Sequence, residues 1–134
     1  MISAIFVYGT LLPGLERWPI LARFVTDEWH HAQVDGQLFD TGHGYPAAVF
    51  GDSERDLAGA TIEGLWFGLR PALLDEALAA LDEAEAVDHG LYQRIVLDTA
   101  HGPAWSYEYQ SGCDRLTALA GRWPAWSGTG PDTA

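Results

Sequence analysis

Nineteen carboxylates are spread through this 134-residue chain, and one of them falls where the local pattern is apolar. Residues 72–85 are rich in Ala, Leu and Glu, all strong helix formers, and Pro71 can occupy the first turn without losing a hydrogen bond. At about 100° per residue, Leu74, Leu78, Leu81 and Glu85 share one narrow face, whereas Glu76 and Glu83 point to the opposite side. A carboxylate on an apolar stripe has two possible fates. Desolvated, it acquires a raised pKa suited to proton transfer; beyond the helix end, it is simply solvated.

A second candidate is the sequence Tyr8-Gly9-Thr10-Leu11-Leu12-Pro13-Gly14, which follows an apolar run. Glycine lets backbone approach a ligand closely, and successive turn N–H groups can form a concave anion site without any basic side chain. A small carboxylate would suit such a cradle. The same residues are also those of an ordinary tight turn leaving a buried strand, and such turns are common. Other chemistry lacks a pattern. His30, His31, His43, His89 and His101 show no metal-ligand spacing, and Cys113 and the serines lack any nucleophile signature.

Several elements must position these groups. Residues 2–8 read as a buried strand, and residues 15–25 as a short helix whose start Pro19 restricts. Residues 34–39, 47–50 and 62–69 read as strands, as do 92–97 and 104–110, the last two joined by Thr99-Ala100-His101-Gly102-Pro103. The strong helix is placed among strands rather than alternating with each, which predicts an α+β fold, a curled mixed sheet or small β-barrel with flanking helices. Residues 1–126 are expected to form one domain and residues 127–134, ending Thr-Gly-Pro-Asp-Thr-Ala, a flexible tail.

Composition excludes several partners. All seven basic residues are arginines, giving a formal net charge of -12, and a field this negative repels nucleic acid and anionic membranes. A single cysteine permits no intramolecular disulfide, and residues 1–7 lack the positive flank and full apolar core of a signal peptide. A cytoplasmic protein acting on a small molecule is the expectation.

The two candidate features also occur together in an ordered set of motifs. Phe6-Val7-Tyr8-Gly9-Thr10-Leu11 comes first, then Gly36-Gln37-Leu38-Phe39-Asp40 with Gly44-Tyr45-Pro46-Ala47 and Ile62-Glu63-Gly64-Leu65-Trp66. Leu81-Asp82-Glu83-Ala84-Glu85, Tyr92-Gln93-Arg94 and Ala104-Trp105-Ser106-Tyr107 complete it. Over residues 4–110 this resembles the γ-glutamylcyclotransferase-like family, which includes γ-glutamylamine cyclotransferases and AIG2-like proteins. Ala86 stands where many members have glycine.

The resemblance implies a compact β-barrel with flanking helices. It also implies that Tyr8, Gly9, Thr10 and Leu11 line the substrate site and that Glu85 is the proton acceptor. Arg94 and Tyr107 match family positions, either as pocket wall or as structural support. The implied reaction forms 5-oxoproline: the α-amine of a γ-glutamyl group attacks its own γ-carbonyl and expels an amine or amino acid. It requires no cofactor and no metal. Alternatives are a biosynthetic enzyme that removes a γ-glutamyl cap from one metabolite, a non-catalytic small-ligand module, and a domain whose Trp123 and Trp126 dock on another protein.

Overall fold

The computed structural model describes residues 2–51 and 60–131. Its frame is one curled mixed sheet, a half-barrel with few helices. The strands are β1 (Ala4–Val7), β2 (Val25–Asp40), β3 (Pro46–Phe50), β4 (Thr61–Leu69), β5 (Tyr92–Leu97), β6 (Ala104–Tyr109) and β7 (Thr117–Ala118). Their order is β3-β2-β4-β1-β6-β5, with β7 paired to β2. Every pairing is antiparallel except β1 with β6. Two helices, α1 (Trp18–Ala22) and α2 (Leu74–Ala84), flank it, and among the described residues no helix is long and apolar enough to cross a membrane.

β1 is apolar throughout because both of its faces are covered, which erases the polar alternation of a half-exposed strand. Ile5 and Val7 pack with Leu65, Phe67 and Leu69 of β4 against Leu21 of α1 and Leu74, Ala77 and Leu81 of α2. Ala4, Phe6 and Tyr8 pack on the opposite face with Leu38, Ile62 and Trp66, a core that Trp123 helps to fill. Trp123 and Trp126 are 8% and 4% exposed, so they are core residues rather than the docking surface that the sequence also allowed.

Three elements depart from the sequence reading, one being β7, a two-residue strand absent from that reading. β2 spans 16 residues rather than residues 34–39, because a register shift between Val25 and Trp29 breaks the period-two pattern in its first half. This long strand leaves β4 partway along and pairs with β3 instead, which carries the sheet around its curl. The helix expected over residues 15–25 is shortened to five residues. Leu15 and Trp18 are tied by successive turn bonds to Leu12 and Leu15, Pro19 falls in the first helical turn, and Val25 already belongs to β2. Of the expected tail, Thr129 accepts a bond from Trp126 Nε1 at 3.0 Å; residues 132–134 lie outside the described residues.

Candidate active site

β1 ends at Val7, and the chain turns sharply at once. The Leu12 N–H donates to Gly9 O at 2.9 Å, and the Arg17 N–H donates to Thr10 O at 2.8 Å, so residues 9–17 fold back on themselves. Among the described residues, the N–H groups of Thr10 and Leu11 donate to no partner. Gly9 is required for space rather than for an unusual dihedral: a Cβ there would stand 2.6 Å and 2.8 Å from Pro46 Cγ and Cδ. We expect Gly9→Val to collide with the Pro46 ring and cost about 1–3 kcal/mol in chemical denaturation, with substrate affinity falling at least tenfold by calorimetry. Unchanged affinity would remove the turn from the site.

α2 delivers the carboxylate. Its apolar face buries Leu74, Ala77 and Leu81, and Glu85 follows as the C-terminal cap, its N–H bonded to Leu81 O at 2.9 Å. Glu85 thus lies at the helix end, as one sequence reading allowed, yet it is not solvated: only 8% of it is exposed. Burial pushes its pKa up to about 7, against a smaller downward pull from Arg17. The negative end of the α2 dipole acts in the same direction as burial.

The residue that redirects the chain after Glu85 is Ala86, the only described non-glycine residue with a positive φ, at 53°. Left-handed backbone costs an L-residue about 1–2 kcal/mol, while glycine returns about 0.5–1 kcal/mol of that through its freer unfolded chain. Ala86→Gly should therefore stabilise the fold by about 0.5–1 kcal/mol, read as a higher urea midpoint at constant m-value. A lower midpoint would mean that the alanine side chain contributes packing of its own.

These parts meet at one narrow cleft with a cavity volume of about 20 Å³. It is lined by residues 6–11, Tyr45, Pro46, Glu85, Tyr92 and Tyr107. The structure therefore brings Tyr8, Gly9, Thr10, Leu11, Tyr107 and Glu85 together around one space. Arg94 is not among the lining residues. Its guanidinium reaches Asp82 Oδ2 at 3.0 Å and lies over the Trp105 ring, 4.9 Å from its centroid. The Tyr107 hydroxyl donates to Asp82 Oδ1 at 2.8 Å, so Arg94 braces the wall through Asp82.

The tyrosines are held as neutral donors. Tyr8 Oη donates to the Tyr107 carbonyl at 2.5 Å, and Tyr92 Oη donates to the Pro46 carbonyl. Burial raises the pKa of Tyr8, Tyr92 and Tyr107, and the Asp82 hydrogen bond raises Tyr107 further. Tyr8, Tyr92 and Tyr107 therefore stay protonated near neutral pH.

Sequence reasoning missed Tyr45, Pro46 and Tyr92 as wall residues, and Arg17 and Asp82 as partners of site groups. The Gly44-Tyr45-Pro46 turn and the tyrosine opening β5 were visible as landmarks. Arg17 carried no sequence signal, because only the fold of residues 9–17 brings its NH1 to 3.7 Å from Glu85 Oε2.

Residues 5–125 match the family model described as gamma-glutamyl cyclotransferase, AIG2-like. The gamma-glutamylcyclotransferase family protein YtfP of Escherichia coli K12 is 32% identical over 123 residues, covering 89% of this chain and 94% of its own. The solution structure of ytfP from Escherichia coli superposes with a TM-score of 0.58 at 30% identity, over 91% of this chain and 96% of that one. The crystal structure of an AIG2-like protein from Mus musculus shares the fold, with a TM-score of 0.63 at 15% identity over 99% and 97% of the two chains.

Proposed function

The chain belongs to the gamma-glutamyl cyclotransferase, AIG2-like family, and from that premise we propose that it converts a γ-glutamyl amine or γ-glutamyl amino acid into 5-oxoproline. The carrying observation is Glu85, a buried carboxyl poised to titrate near neutrality, in the same cleft as the 9–11 turn. A model glutamate titrates near ~4.3 and a model α-amine near ~8, so an unshifted carboxylate would be a poor base for the substrate's ammonium. Raising Glu85 to about 7 brings the two within reach of each other.

Glu85 accepts a proton from the α-ammonium of the substrate. The freed amine attacks the γ-carbonyl carbon, a C–N bond forms within the five-membered ring, and the carbonyl oxygen takes up the electron pair. When the carbonyl re-forms, the bond to the leaving nitrogen breaks and Glu85 returns its proton there, while the ring nitrogen gives up the extra proton it carries after attack to the released amine, which departs as an ammonium. The products are 5-oxoproline and the free amine or amino acid. The N–H groups of Thr10 and Leu11 supply donors for the α-carboxylate or the developing oxyanion, and the walls of Tyr8 and Tyr107 hold the glutamyl chain folded. Orientation lowers the barrier because nucleophile and electrophile belong to one flexible chain.

The test is mass-spectrometric detection of 5-oxoproline from the purified protein, given a panel of γ-glutamyl amino acids, γ-glutamyl amines and γ-glutamyl-ε-lysine. Product from the protein supports the reading, and the preferred leaving group identifies the substrate. Binding of panel members without product would favour a ligand-binding module.

A further inference from the structure

Glu85 lies in a ring of uncharged phenols and one cation. Tyr8 follows β1, Tyr92 faces it from β5 and Tyr107 from β6, all three electrostatically coupled to its carboxylate. On its own helix, Asp82 is committed to Tyr107 and Arg94, and Glu83 is exposed. The remaining charge is Arg17, which precedes α1 and is the one ion-pair partner of Glu85 among the described residues.

Arg17 is built into the site from its own backbone. Its N–H is bonded to Thr10 O at 2.8 Å, and its carbonyl accepts the Ile20 N–H at 3.0 Å, so its Cα is fixed between the cradle turn and α1. Its side chain is 32% exposed, against 10% for that of Glu85, so the guanidinium sits toward solvent beside the buried carboxyl. At 3.7 Å the contact is an ion pair rather than a tight hydrogen bond, which leaves the carboxylate free to accept a proton.

We infer that Arg17 is a positioning residue for Glu85: anchored to the cradle by its backbone, it holds the carboxylate at the cleft and supplies the positive charge that offsets its burial. This rests on the reading of Glu85 as the acid/base group. Without Arg17, desolvation acts unopposed, the carboxyl stays protonated to higher pH, and less of the protein begins the reaction as a base. Lysine at this position keeps the charge and should retain most of the effect.

The experiment compares wild type with Arg17→Met and Arg17→Lys by two readouts. The first is a ¹³C titration of the Glu85 side-chain carboxyl, assigned by its loss in Glu85→Gln, which needs no substrate. Its midpoint should rise by about one unit in Arg17→Met and return most of the way in Arg17→Lys. The second is the acid limb of kcat/KM for 5-oxoproline release, which should move by the same amount while the rate at high pH stays within a few-fold. A purely structural role would lower stability and leave both midpoints in place, and an unmoved midpoint in folded Arg17→Met overturns the inference. A shifted NMR midpoint without product from any substrate would uphold Arg17 and reject the proposed reaction instead.

Discussion

Glu85→Gln is expected to give a folded protein that releases 5-oxoproline roughly 10³-fold more slowly than wild type, the scale of a lost general acid/base. Glutamine preserves shape and polarity, so the cleft and the walls of Tyr8 and Tyr107 persist, but the amide can neither take the ammonium proton nor return one. The wild-type profile sharpens the test. In the proposed reaction the reactive complex carries one proton shared between Glu85 and the amine, so kcat/KM should peak between about 7, where Glu85 ionises, and about 8, where the free substrate amine does. Substrate affinity, measured calorimetrically, should fall far less than turnover. A glutamine variant with wild-type rate on a responsive substrate would sink the assignment, and circular dichroism of the same samples distinguishes lost chemistry from lost fold.

The second large effect is on stability, and it has the opposite sign. Glu85 titrates at about 7 in the folded chain against a reference of 4.5, so the native state binds this proton more tightly than the unfolded state does. The stability it contributes is complete below the unfolded pKa and is lost as pH rises through the folded one. From pH 4.5 to 7 the loss is about 1.4 kcal/mol per unit, or about 3 kcal/mol in all. Other carboxylates titrate over the same range, so the quantity to measure is the difference between wild type and Glu85→Gln. That difference should shift in favour of the glutamine variant by about 3 kcal/mol between pH 4 and pH 8 in urea titrations. A difference that stays flat with pH would mean that Glu85 is effectively hydrated, and the base would lose the source of its raised pKa. The expected pattern is that of a functional group retained at a cost to the fold.

Much of this was legible in the chain. The β1 run, the 9–14 turn, the strands β3 to β6 and the α2 helix could each be read from local chemistry, because apolar periodicity, Gly and Pro placement and helix propensity act over a few residues. The first half of β2 was not legible: its register shift near Trp29 cancels the alternation that marks a strand. Nor was the length of α1, where turn bonds from Leu12 to Trp18 compete with helical spacing.

The site divides in the same way. The sequence by itself determined that Glu85 stands in line with Leu74 and Leu81, and that a glycine-bearing turn follows a buried strand. It left open whether that carboxyl is buried, because a helix end meets solvent or protein according to what packs over it. Only the tertiary structure decided this, by bringing the end of α2 to one cleft with Tyr8, Tyr92 and Tyr107, where Glu85 is left 8% exposed. It likewise set Arg94 behind the wall on Asp82 and brought Arg17 to the carboxylate. Spacing along a chain fixes which face a side chain takes, whereas desolvation and charge pairing depend on distances through space between residues far apart in sequence.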